Sequence, residues 1–248
     1  MKKTLLLISI SAIAAIASFV SCIEEDELTF APNIAGYVIE SGSDSTRCYT
    51  PYFYMTSSVE DFKISSTSIV HESDQVNLTM VKFNDYAWYS DDNVSFASIS
   101  SLNGTYDFMA RTTNGQTYST SQLVSFEESD TIGEIDCSAF EFDEENKLVV
   151  ATISAQKEGA TVGFALTPYE PESSPVRMSN CYFSLSNYTA NDDGTITIKL
   201  PLSQSGLRIG NSRARICVYV LNSSGMYREA EYHTLKIDVE TQAMELID

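Results

Sequence analysis

Ala214-Arg-Ile-Cys-Val-Tyr-Val220 places Ala214, Ile216, Val218 and Val220 at every second position. A period of two is the signature of a strand, whose successive side chains point to opposite faces. The same alternation runs through Lys147-Leu-Val-Val-Ala-Thr-Ile-Ser154 and Thr195-Ile-Thr-Ile-Lys-Leu200. In the N-terminal half Tyr49, Pro51, Phe53 and Met55 share one phase, as do Tyr106, Phe108 and Ala110. Turn signals separate these runs: Ser41-Gly-Ser-Asp44, Asn103-Gly104, Asn114-Gly115, Asn191-Asp-Asp-Gly194 and Asn222-Ser-Ser-Gly225. Short β-branched and aromatic segments between such turns predict an all-β chain of sandwich type.

Glu127-Glu-Ser-Asp-Thr-Ile-Gly133 lacks alternation and sits near the middle. It divides the chain into two predicted sandwiches, residues 29–128 and 129–248, behind a leader (1–22) and an acidic spacer (23–28). A weak repeat supports the division. Tyr106 to Tyr118 reads strand, turn, strand, and Ala214 to Tyr232 repeats the order about 110 residues later.

Leu102-Asn-Gly-Thr-Tyr106-Asp-Phe108-Met-Ala110 resembles the approach to strand F of fibronectin type III domains. The resemblance gives Tyr106 a structural role, its ring in the core and its hydroxyl bonded back to the preceding turn. The second half departs from that pattern, with Ala214 where a tyrosine would stand.

The N-terminus sets an expected address. Lys2 and Lys3 precede sixteen uncharged residues, Leu5 to Val20. At ~1.5 Å each these fall short of a ~30 Å hydrocarbon core, as in a cleaved signal peptide. Two cleavage readings compete. Ala15-Ile-Ala17 has the small-x-small form that releases a soluble protein, whereas Phe19-Val-Ser-Cys22 resembles a lipobox, with Cys22 lipidated to become the new N-terminus. Ile23-Glu-Glu-Asp-Glu27 resembles the signal that sends Bacteroidota lipoproteins to the outer face of the outer membrane, and it favours the second reading. As a whole the chain resembles Bacteroidota surface lipoproteins built from tandem immunoglobulin- or fibronectin type III-like domains, a family that implies an address and a fold but no single activity.

Without Lys2 and Lys3 the 15 Lys+Arg fall to 13 against 34 Asp+Glu, a net charge of −21. So acidic a surface is repelled by phosphate backbones, which argues against nucleic acid; the expected membrane link is the lipid on Cys22. Five cysteines leave four once Cys22 is assigned to lipid: Cys48, Cys137, Cys181 and Cys217. Wide spacing without a CxxC pair gives zinc or redox chemistry no support, and leaves buried thiols or a single bridge among Cys137, Cys181 and Cys217 as alternatives.

Catalytic signals are absent from the sequence. The two histidines, His71 and His233, are far apart and read as exposed strand or loop residues; no GxSxG or HExxH motif accompanies them. With 34 acids, pairs of carboxylates form by chance and do not indicate a glycosidase. Asn191-Asp-Asp-Gly194 groups oxygens that calcium could use, but Asp-Gly between alternating strands reads first as a hairpin turn. No enzyme, metal or cofactor is expected.

Phe83-Asn-Asp-Tyr86-Ala-Trp88-Tyr89, followed by Ser90-Asp91-Asp92, is the candidate binding stretch. If Val81 and Phe83 face the core, Tyr86 and Trp88 stand outward beside Asp91 and Asp92, as stacking platforms and polar groups that hold a glycan. Alternatively Trp88 is the core tryptophan of an immunoglobulin-like sandwich. Tyr52 and Tyr54, opposite in phase to Phe53 and Met55, extend such a surface. Asp130-Thr131-Ile132 and Asp44-Ser45-Thr46 match the Asp-Ser/Thr-apolar pattern of Bacteroidota O-glycosylation, which marks Thr131 and Ser45. The expected function is a non-enzymatic surface binding or adhesion module for a glycan or a surface protein. The alternative is a structural spacer or accessory subunit of an outer-membrane or fimbrial assembly, with a glycan-active enzyme least favoured.

Overall fold

A computed structural model describes residues 29–91, 93–169, 181–185, 188–201, 212–238 and 243–246. Over them the chain is nearly all β, in antiparallel sheets. No helix among the described residues is long and apolar enough to cross a membrane. Contacts divide the chain into two units: the first comprises residues up to Ile39 and Thr46–Asp130, the second Glu40–Ser45 and Thr131 onward.

The first unit holds β1 (Asn33–Ser41, which ends in the second unit), β2 (Cys48–Thr56), β3 (Ile64–His71), β4 (Val76–Leu78), β5 (Met80–Asn84), β6 (Ala87–Ser90), the single-turn α1 (Ile99–Leu102), β7 (Gly104–Thr112) and β8 (Thr117–Val124). One sheet runs β1-β2-β6-β5, the other β4-β3-β7-β8. Phe53 and Met55 of β2 meet Ile64 and Ile69 of β3 and Tyr106, Phe108 and Ala110 of β7 in one buried cluster. Core residues thus come from both sheets, as in a sandwich. Alternation produces this directly, since β7 buries Tyr106, Phe108, Ala110 and Thr112 and exposes the residues between. Ser98 caps α1, accepting from the Ser101 backbone while the Ser101 hydroxyl accepts from the Ser98 N–H, a reciprocal capping box. The Tyr106 hydroxyl donates to the Leu102 carbonyl at 2.9 Å, satisfying a carbonyl at the end of that turn.

In the second unit β9 (Cys137–Asp143), β10 (Leu148–Ser154), β13 (Thr189–Ala190) and β14 (Thr195–Pro201) form a sheet in the order β13-β14-β10-β9. The other sheet runs through β12 (Cys181–Leu185), β11 (Thr161–Tyr169), β15 (Ser212–Leu221) and β16 (Met226–Asp238), and β17 (Ala243–Leu246) also pairs β16. Val149, Ala151 and Ile153 of β10 and Ile196, Ile198 and Leu200 of β14 pack with Val162 and Phe164 of β11 and Ile216, Val218 and Val220 of β15.

A buried charge closes this unit. The Glu40 carboxylate, at the end of β1, accepts from the Ile132 N–H (2.7 Å), the Gly133 N–H (3.0 Å) and Arg228 Nη1 (2.9 Å). Arg228 Nη2 continues to the Gly42 carbonyl at 2.7 Å. With every partner supplied, the charges tolerate removal from water.

Cys48, Cys137 and Cys217 are thiols, so no bridge joins Cys137 to Cys217. The side chain of Cys181, like Cys22 and the whole leader, lies outside the described residues. Burial, and secondarily the nearby Glu229 charge, push the Cys217 thiol up, leaving it a protonated core group.

Candidate functional site: an outward tyrosine surface

Strand parity builds the surface. In β2 Phe53 and Met55 point into the first core, so Tyr52 and Tyr54 point away from it. Tyr54 stands directly opposite Tyr89 of β6, and Tyr89 opposite Val81 of β5. Tyr37 of β1 completes the group. Its ring centroid lies 5.2 Å from Tyr52 and 6.4 Å from Tyr54. Tyr52 meets Tyr54 edge-on at 5.0 Å and stacks on Tyr89 at 5.9 Å. These separations fall in the favourable range for aromatic pairs, each worth ~0.5–1.5 kcal/mol beyond its buried area. Tyr54 keeps 39% of its surface in contact with solvent, and the other three are half-buried.

Gly36 makes room beneath. A β-carbon there would lie 2.5 Å from Phe53 Cδ1 and 2.8 Å from the Tyr52 carbonyl, so β1 approaches β2 closely only because position 36 has no side chain. That approach brings Tyr37 onto Tyr52.

The aromatic stretch around Trp88 is divided differently from the outward reading. Trp88 pairs with Met55 and packs half-buried against the first core, its indole Nε1 3.4 Å from the Ile64 carbonyl. Phe83, taken as a core residue in that reading, is 74% exposed. The reason is the choice of face: Val81 stands opposite the outward Tyr89, so the Val81 and Phe83 side of β5 is the outer one and Trp88, opposite Met55, takes the core side. Tyr86 serves that turn: its N–H bonds Asn84 Oδ1 (2.7 Å) and its hydroxyl the Glu60 carbonyl (3.1 Å). Asp91 follows β6, its N–H on the Thr79 carbonyl, and Asp92 lies outside the described residues. Tyr86 and Trp88 therefore do not form one platform; Tyr89, between Trp88 and Ser90, belongs to the outward face.

The remaining candidates take separate places. His71 is 1% exposed, contrary to the expectation of an exposed residue, because it shares the inward phase of Ile69. Its ring packs 4.7 Å from Tyr106 and 5.1 Å from Phe96. Nε2 lies 3.4 Å from the Asn103 carbonyl; the buried Nδ1 makes no hydrogen bond, and Asp74 Oδ2 stands 3.5 Å from it. His233 is half-buried, its ring 4.3 Å from Phe140. In the second unit Asp193 Oδ1 accepts from the Thr195 N–H and hydroxyl, and these bonds hold its carboxyl below the usual range. Asn191 Nδ2 reaches Thr195 and Thr197, so this turn spends its polar groups on itself. A neighbouring cleft of about 210 Å³ lies between Gln156, Tyr188 and Ile196. Among the described residues no three His, Cys, Asp or Glu side chains gather as metal ligands. Thr131 is half-buried, its carbonyl accepting from Lys157 Nζ, whereas Ser45 is exposed, 3.2 Å from the Ser43 hydroxyl.

No known protein-family model matches this chain, and no curated protein matches it.

Proposed function

We propose that the chain is a lipid-anchored protein of a bacterial outer membrane, tethered at the cell surface through Cys22, with two immunoglobulin- or fibronectin type III-like domains and no catalytic centre. On this reading the Tyr37, Tyr52, Tyr54 and Tyr89 surface binds glycan. The signal-like leader, its terminal cysteine and the acidic run behind it support the address. The Tyr106 hydroxyl on Leu102 supports the domain type. One observation carries the binding role: four tyrosines joined by ring contacts through Tyr52 on the face of the first domain away from its core. Phenol rings offer flat apolar area for the C–H face of a sugar and hydroxyls for its rim, at little conformational cost. They also carry no charge, so the surface suits neutral sugars better than anionic ones on so acidic a chain.

The test is retention on a glycan array by the full chain and by Tyr52→Ala, Tyr54→Ala and Trp88→Ala variants. Tyr54→Ala is expected to leave the melting temperature close to the parent's and to abolish retention. Trp88→Ala, which opens a cavity beside the first core, is expected to lower it instead; full truncation of a buried Trp costs ~3–5 kcal/mol. Retention unchanged by both tyrosine substitutions overturns the platform. A chain that retains no glycan but crosslinks to neighbouring membrane proteins supports the spacer or accessory-subunit alternative.

A further inference from the structure

Exposed sheet edges present unpaired N–H and C=O groups, and natural proteins blunt them with short strands, charges, prolines or bulges. Most edges here are blunted. β4 has three residues and β13 two. β5 carries Lys82 and a break of register, and β9 carries Glu141 and Asp143 beside another break. β12 is five residues long.

Among the described strands β8 is the exception. Thr117-Tyr-Ser-Thr-Ser-Gln-Leu-Val124 has eight residues with no charge and no proline, and it pairs β7 from Arg111↔Thr117 to Gly104↔Val124 in unbroken register. Among the described residues no strand lies beyond it.

The backbone phase of that edge can be read. The Thr112 N–H bonds the Gln116 carbonyl at 2.9 Å, making 112 and 116 a hydrogen-bonded pair. Such pairs alternate along an antiparallel ladder, so Tyr118, Thr120, Gln122 and Val124 face β7. On the far side of β7, Thr113 bonds Lys63 and Thr105 bonds Glu72, consistent with that parity. Thr117, Ser119, Ser121 and Leu123 therefore turn their N–H and C=O groups to the open side.

We propose that this edge pairs with the same edge of a second copy, antiparallel about a two-fold axis at Ser121. That register sets Ser121 against Ser121 of the partner subunit and Ser119 against Leu123 of the partner subunit, with Thr117 reaching Ser125 of the partner subunit just past the strand end. On the inner face Tyr118 meets Val124 of the partner subunit, and Thr120 meets Gln122 of the partner subunit. The absence of charge from β8 decides the occupant: on a chain of net charge −19, this strand sets no like charges opposite each other when it meets itself. A carboxylate beside the strand is Asp107 of β7, which accepts from the Ser121 hydroxyl. Its copy would lie three strand spacings away, about 14 Å at ~4.8 Å each and beyond the ~8 Å Debye length at physiological salt.

The experiment crosslinks the full chain in mild detergent with a short bis-maleimide after Ser121→Cys, reading the doubled mass on a denaturing gel. The parent chain controls for its native cysteines, and Ser58→Cys for an exposed position elsewhere in the same unit. Ser121→Cys is expected to give several-fold more dimer than either. Adding Ser119→Pro, which removes an open-side N–H and no β7 bond, is expected to return the yield to the control level. Ser119→Lys, which sets a charge against Leu123 of the partner subunit, is expected to do the same and decides the matter if the proline variant melts early. A yield from Ser121→Cys no greater than from Ser58→Cys overturns the proposal, as does a yield that survives Ser119→Lys.

Discussion

Gly104 and His71 are in contact by design of the backbone: a β-carbon on Gly104 would sit 2.5 Å from His71 Nε2. Gly104 also has φ +156°, a conformation side-chain-bearing residues rarely adopt. It is the first residue of β7, two residues after the end of α1 and two before Tyr106. Gly104→Ala is expected to cost ~1–3 kcal/mol in denaturant unfolding. Adding His71→Ala to it should recover only part of that, since the ring contact goes and the backbone strain stays. Full recovery would show that φ at position 104 costs nothing.

Tyr106 carries an alkaline prediction. Burial, and secondarily the Asp74 charge, hold its phenol well above the ordinary tyrosine value. The folded chain thus keeps a proton that the unfolded chain releases near pH ~10. Above that pH the unfolded state binds fewer protons, so stability must fall as pH rises. Tyr106→Phe should flatten this part of the stability profile. At neutral pH it should cost ~1–3 kcal/mol, because the buried Leu102 carbonyl loses its donor. An equally steep profile for the variant between pH 9 and 11 would assign the effect to other groups.

The Glu40–Arg228 pair predicts asymmetry between single and double changes. Glu40→Ala removes the carboxylate from Arg228 and from the Ile132 and Gly133 amides, and ~3–5 kcal/mol of stability is expected to go with it. Arg228→Met should cost a similar amount by leaving the carboxylate unpaired. The double change Glu40→Ala with Arg228→Met should cost less than the two singles together, with a remainder from the two orphaned amides. Strict additivity in chemical denaturation would show that the two side chains do not act as a pair.

Alternation was enough to read the chain as β, because strands such as β10 and β14 bury one full face each and their sequences say so locally. Tyr52 and Tyr54 could be placed outward for the same reason. The choice of face at the hairpin failed: Val81 pairs with the outward Tyr89, so the Val81 and Phe83 side lies outward, with Phe83 in solvent and Trp88 on the core side. His71 could have been found from Ile69 two residues before it, but a histidine on an inward phase is easily read as exposed. Glu40 gave no local signal, since Arg228 lies 188 residues further along the chain.

That separation bears on how the polypeptide can be dissected and made. A clone beginning at Thr131 would lack residues 40–45 and leave Arg228 buried without its carboxylate, so the C-terminal half is not an autonomous expression fragment. During synthesis the six-residue segment emerges first and waits for nearly all of the remaining sequence before it can be engaged. Truncation products ending before Arg228 would strand an acidic residue in an apolar setting, a ready mark for proteolytic removal.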